Sequence, residues 1–202
     1  MNTIVYMVRH GDSPKEGNER TRGLTEKGYE DACRVTELLK DKKIDIVVSS
    51  PYRRSILTIE KIALHIRKEV EVIEGLRERV FSSSSNRLED NELGPLLEKS
   101  FVDFNFSLED GESNAACQKR AVQVLKELLH TYKDKNMVIG THGAVMTLMM
   151  NYFDSSFDLD FLYSTTKPDI YRLAFNDEEL VSVERVWDKT FIKLIDNGGL
   201  MT

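Results

Sequence analysis

Thr3-Ile4-Val5-Tyr6-Met7-Val8-Arg9-His10-Gly11 is the stretch from which the fold is read. Ile4 to Val8 is a short apolar run containing β-branched residues, the pattern of a buried strand. It passes without a spacer into a cation, an imidazole and a glycine. Two later runs end the same way. Ile44 to Val48 leads into Ser49-Ser50-Pro51-Tyr52-Arg53-Arg54, and Met137 to Gly140 leads into Thr141-His142-Gly143. In open α/β sheets, ligands bind beyond the carboxyl ends of the strands, so these three polar clusters are expected to converge.

The segments between the strands are helical in period. Thr25 is a plausible cap for a helix with Tyr29, Ala32, Cys33, Leu38 and Leu39 on its apolar face, running to Lys42. Ile56, Ile59, Ile62, Ala63 and Ile66 mark a second helix after Pro51. Val70 to Ile73 is a brief strand. Ser113 caps a long helix with Cys117, Ala121, Val124, Leu125, Leu128 and Tyr132 on one face, and Ala144 to Tyr152 forms a short one. Ile170 to Phe175 and Leu180 to Trp187 alternate as a closing hairpin around Asn176-Asp177. The span from Glu78 to Asp110, with its serine run Ser82 to Ser85 followed by Asn86, is the least regular. It reads as loop and short helix, a lid or wall of the site. Strands alternating with helices predict an α/β fold, a three-layer α/β/α sandwich around a mostly parallel sheet, as a single domain over 1–202.

Composition narrows the function. The chain has 202 residues, 41% apolar and 31% charged, with a formal net charge of -6. That acidity, with no dense basic block, argues against nucleic acid or anionic lipid as partner. No run approaches eighteen apolar residues, so no membrane span is expected and the cytoplasm is the default location, with a monomer or homodimer as the assembly. The two cysteines, Cys33 and Cys117, lack metal-ligand spacing and read as buried free thiols rather than a bridge.

The strand-end residues suit a phosphoryl group, which makes a small phosphorylated molecule the expected partner. Arginine presents a planar fork to phosphate oxygens and stays charged. A neutral imidazole attacks phosphorus, and a second, protonated one stabilises the equatorial oxygens. Without a Cβ, Gly11 and Gly143 let backbone N–H groups approach the anion, and the helix starting near Ala144 adds its positive end. As a strand-end residue, His10 is expected to face solvent.

Together these residues resemble the histidine phosphatases of the phosphoglycerate mutase-like superfamily, branch 1. Arg9-His10-Gly11 is similar to that family's signature, and Leu24-Thr25-Glu26-Lys27-Gly28 to its Leu-Thr-x-x-Gly. Ser50-Pro51-Tyr52-Arg53-Arg54 with Thr58 resembles Ser-Pro-Leu-x-Arg-Ala-x-x-Thr, which points to Arg54 rather than Arg53 as the phosphate-binding arginine. Leu76-Arg77-Glu78-Arg79 resembles the segment bearing the acid, Gly111-Glu112-Ser113 a further recurrent element, and His142-Gly143 the second histidine.

The resemblance implies a phosphatase in which His10 is the nucleophile. Arg9, Arg54 and His142 neutralise charge, Gly11, Ser13 and Gly143 contact phosphate, and Glu78 protonates the leaving group. It implies neither metal nor cofactor. Glu112 is either a site residue or a solvated carboxylate, while His65 and His130 read as structural. The chain also departs from the mutases. Glu16 stands where they carry asparagine, although Asn18 is close by. Arg79-Val80-Phe81-Ser82 replaces Arg-His-Tyr-Gly, and Arg87 is the single arginine between Arg79 and Gly111. A phosphatase is therefore favoured over a mutase-type phosphoryl transferase, and over a weakly catalytic module that binds phosphorylated ligands.

Overall fold

The computed structural model describes residues 2–82, 88 and 90–187. The serine run from Ser83 onward and Arg87, which the sequence reading assigns to a lid, lie outside them. In chain order the elements are β1 (Thr3–Arg9), α1 (Glu26–Leu39), β2 (Ile46–Ser49), α2 (Arg53–His65), β3 (Glu71–Val72) and a 3-10 turn (Glu74–Leu76). Then come α3 (Asp90–Val102), α4 (Asn114–Thr131), β4 (Asn136–Thr141), α5 (Gly143–Phe153), α6 (Leu159–Ser164), β5 (Asp169–Asn176) and β6 (Glu179–Arg185).

The strands form one sheet in the order β3-β2-β4-β1-β5-β6. The β2–β3, β2–β4 and β1–β4 pairs are parallel, and β5 alone runs against its neighbours. Alternation along β1 divides the core. Val5 and Met7 pack toward α4 and α5, with Cys117, Leu125, Val145 and Met149. Tyr6 and Val8 pack toward α1 and α2, with Val35, Leu39, Ile59 and Ile62. A strand apolar on both faces needs helices on both, which is the three-layer sandwich.

Several sequence expectations need correction. The buried face of α1 is Gly28, Asp31, Ala32, Val35 and Leu39, whereas Tyr29 and Cys33 are exposed. The true stripe steps three or four residues at a time through a glycine and a buried aspartate, which an apolar count overlooks. Cys117 is buried and free as expected. The region after Glu78 holds a 13-residue helix, α3, despite an internal Pro95. Helix α6 was not anticipated; six residues are too few to display a period. The final hairpin pairs Asn176 with Glu179, so its turn is Asp177-Glu178, one residue later than the sequence indicated.

The Leu-Thr-x-x-Gly segment has a structural role. Thr25 caps α1 by accepting from Gly28 N (3.1 Å), a contact worth about 1 kcal/mol. Its own N–H donates to Asp12 O (3.1 Å) and its hydroxyl to Asp12 Oδ2 (2.8 Å). A Cβ on Gly28 would stand 2.2 Å from Asp12 O. Glycine is therefore required where α1 meets the loop leaving β1, and α1 clamps the backbone just after His10.

Candidate active site

Register brings the three strand ends together. Arg9 pairs with Thr141 across β1 and β4, and His10 N donates to Thr141 O (3.0 Å), so His10 and His142 sit side by side. On the other side of β4, Ser49 pairs with Gly140 and Ser50 N donates to Gly140 O (2.9 Å). The Ser50 hydroxyl thereby reaches His142 Nε2 (2.6 Å). The two imidazoles meet edge to face with centroids 5.2 Å apart, and Tyr52 lies against His142 at 4.9 Å.

His10 is buried, not solvent-facing: it is 4% exposed, and His142 is fully buried. The environment of His10 defines its tautomer. Nδ1 lies 2.7 Å from Gly11 O, a carbonyl that only accepts, so Nδ1 carries the proton and Nε2 keeps its lone pair. Arg54 Nε donates to that lone pair (3.1 Å). Burial, followed by the Arg54 charge, pushes the His10 pKa well below the ordinary imidazole value, with Arg9 and Lys167 adding to the effect. Burial and then Arg54 do the same to His142. Both rings are held neutral, whereas the sequence reading assigned His142 a proton.

Arg54, at 2% exposure, is the arginine that meets His10, and Arg53 is exposed. Its other nitrogens donate to Glu19 O (2.5 Å) and Glu19 Oε2 (2.8 Å). Glu19 also holds Arg22 through both carboxylate oxygens (2.8 and 3.1 Å). Neither Glu19 nor Arg22 was anticipated from the sequence, because both belong to an aperiodic polar loop. The one local signal is Asn18, whose side chain accepts from the N–H groups of Arg20 (2.9 Å) and Thr21 (3.3 Å) and so fixes the turn.

Arg9 donates to the carbonyl oxygen (3.2 Å) and hydroxyl of Thr165, a partner contributed by the segment after α6. A Cβ on Gly143 would come within 2.9 Å of the Arg9 guanidinium carbon. Gly143 is thus needed for Arg9 to lie against the start of α5. Gly11 and Ser13, expected from the sequence to contact phosphate, have polar atoms bonded within the protein. Gly11 N donates to Thr58 Oγ1 (3.0 Å), while Ser13 donates to Gly23 O (2.6 Å) and accepts from Arg22 (2.6 Å). Both residues hold the loop rather than line the cavity.

Glu78 sits at the N-terminus of α5, where it accepts from Val145 N (2.9 Å), Ala144 N (3.3 Å) and Arg79 N (2.9 Å). A helix N-terminus is a favourable place for a carboxylate. Glu112 pairs with Arg120 through both oxygens (2.8 and 2.6 Å), so it is neither solvated nor on the cavity wall. Among the described residues no cluster of three His, Cys, Asp or Glu side chains has metal-binding geometry. None of their helices is long and apolar enough to cross a membrane.

Arg9, His10, Glu19, Arg22, Arg54 and Glu78 line a cavity of about 360 Å³. Arg9, His10, Arg54 and Glu78 are at its polar end, and Phe81, Leu93, Leu97 and Leu162 form much of the remaining wall. Comparison with known proteins agrees with this arrangement. The model of the histidine phosphatase superfamily (branch 1) matches residues 5–187. Phosphoglycerate mutase-like protein 4 of Arabidopsis thaliana is 26% identical over 191 residues, covering 89% of this chain and 83% of its own. The uncharacterized phosphatase PhoE of Bacillus subtilis (strain 168) is 25% identical over 153 residues, covering 73% and 76%. Phosphoserine phosphatase from Entamoeba histolytica, solved with 3-phosphoglyceric acid, superposes with a TM-score of 0.76 at 24% identity. The match covers 93% of this chain and 98% of that one, and shows the shared fold.

Proposed function

The chain belongs to branch 1 of the histidine phosphatase superfamily, and on that premise we propose that it hydrolyses small phosphomonoesters through a phosphohistidine on His10. The observation that carries this reading is the His10 imidazole. It is buried, neutral, protonated on Nδ1 by its bond to Gly11 O, and has its Nε2 lone pair among Arg9, Arg54 and His142.

In the first half-reaction Nε2 attacks phosphorus and the P–O bond to the alcohol breaks. Arg54 leaves Nε2 and Glu19 for the phosphate oxygens, with Arg9 beside it. Burial and then the Arg54 charge keep His142 neutral. An arriving phosphate dianion offsets the second of these, so His142 takes up a proton from solvent and shares in stabilising the equatorial oxygens. Glu78 enters this step protonated and gives that proton to the departing alkoxide, becoming the carboxylate. Oε1 accepts from both Val145 N and Arg79 N, and Oε2 from Ala144 N alone, so Oε2 is the oxygen from which the proton leaves. In the second half-reaction Glu78, now ionised, accepts a proton from water as its oxygen attacks the phosphohistidine. Inorganic phosphate leaves, and His10 returns to its neutral tautomer. The cations supply the charge stabilisation that magnesium supplies in other phosphoryl transfers.

Phosphate release from 4-nitrophenyl phosphate in excess chelator tests this reading, and the expected rate equals that without chelator. Activity lost to chelator and restored by magnesium would overturn the metal-free mechanism.

Glu19 provides a second test. Its carboxylate accepts from Arg54 (2.8 Å), so it competes with an incoming anion. Glu19→Gln is expected to tighten inorganic phosphate by about tenfold, the order of one hydrogen bond to a charged group. Titration calorimetry measures this directly. Unchanged or weaker binding would assign Glu19 to orienting Arg54 instead.

A further inference from the structure

The cavity has two unlike ends. Beyond the phosphate-binding cluster its walls are Phe81, Leu93 and Leu97 of α3, Ala144 of α5, and Leu162 and Tyr163 of α6. Leu97, Ala144 and Leu162 form a small hydrophobic cluster of their own, with Phe81 and Leu93 packed on it. These residues do not support the sheet; they close one side of the cavity.

The arginines lining the cavity serve other partners or the phosphate end. Arg79 donates from all three nitrogens, to Glu112 O (2.9 Å), Ser100 Oγ (2.7 Å) and Phe106 O (3.5 Å), and its guanidinium lies over the Phe81 ring at 4.1 Å. Arg22 is bound to Glu19, Ser13 and Pro14 O. Lys167 also lines the cavity, and its charge acts on His10. Among the described residues, the far wall therefore offers mainly apolar surface. A carboxylate placed against that surface would lose its hydration.

We propose that the alcohol released by this enzyme is an apolar body, alkyl or aryl, seated against this wall. The inference rests on the phosphatase reading above and adds the substrate class. The cavity volume is near the lower end for small-molecule sites, which matches a compact body rather than an extended one.

The test separates the two readings by using binding for one and turnover for the other. Alkylphosphonates from methyl to hexyl, which cannot be hydrolysed, are titrated into the wild-type protein by calorimetry. Kd is expected to fall by about three- to fourfold per methylene until the wall is covered, the worth of one buried methylene. Heat capacity changes on binding should be negative. 2-Carboxyethylphosphonate is expected to bind more weakly than propylphosphonate, and Leu93→Asp to flatten the series. A Kd independent of chain length, tighter binding of the carboxylated compound, or an undiminished slope in Leu93→Asp would overturn the proposal. Hydrolysis of 4-nitrophenyl phosphate by the same preparation reports on the phosphatase reading. Turnover with a flat phosphonate series rejects the substrate class alone, and a steep series without turnover rejects the hydrolysis alone.

Discussion

His10→Ala is expected to remove turnover of every phosphomonoester, by roughly a millionfold where the background allows it to be read, the scale of losing a covalent nucleophile. No neighbour is placed to take over. His142 Nε2 faces Ser50 Oγ at 2.6 Å, and Glu78 is bonded to three backbone N–H groups. The substitution also has a structural cost, because the ring is buried and accepts from Arg54 Nε. Leaving that donor unpaired and opening a cavity would each destabilise by about 1–3 kcal/mol. His10→Gln, which keeps an acceptor near Arg54, distinguishes lost chemistry from lost folding. Acid-labile labelling of the protein by radioactive substrate should be present in the wild type and absent in both variants, while circular dichroism shows both folded. Turnover by folded His10→Ala within a few fold of wild type would reject His10 as nucleophile.

What the sequence discloses of this site depends on how each residue is held. His10, Arg54 and His142 are legible because each stands just beyond an apolar strand, and parallel register then brings the strand ends together. Thr25 and Gly28 are legible as a motif, but the reason for the glycine, a Cβ 2.2 Å from Asp12 O, belongs to tertiary packing. Glu19 and Arg22 sit in a loop whose order comes from mutual ion pairing, which leaves no periodicity to detect. Thr165 holds Arg9 from 156 positions away, a contact that sequence spacing does not encode. Gly11 and Ser13 show how local bonding adds to what spacing discloses. They stand close to the nucleophile in sequence, and while Gly11 O holds His10 Nδ1, Gly11 N and Ser13 Oγ bond to Thr58, Gly23 and Arg22. The apolar wall was hidden because α3 and α6 contribute a few residues each, and the surface exists only where the two helices meet Ala144.

Glu78→Gln should affect substrates according to how badly their leaving group needs a proton. An alkoxide departs from phosphorus only as a proton arrives, whereas 4-nitrophenolate leaves nearly unaided. Glutamine preserves the shape, and its carbonyl oxygen still accepts from one N–H of α5, but it carries no acidic proton. The rate on an alkyl phosphate is therefore expected to fall about a hundredfold further than the rate on 4-nitrophenyl phosphate, the usual contribution of general acid catalysis. The bonds from Val145 N and Ala144 N make the alternative concrete. If Glu78 serves only to cap α5, its loss would shift the helix carrying Gly143, and with it Arg9, and both substrates would slow by the same factor. The ratio of the two rates reads proton donation, and the thermal midpoint reads the cap. A lowered midpoint with an unchanged ratio would move the acid to another carboxylate. Asp12 would come before Glu112 in that search, since both oxygens of Glu112 are already held by Arg120.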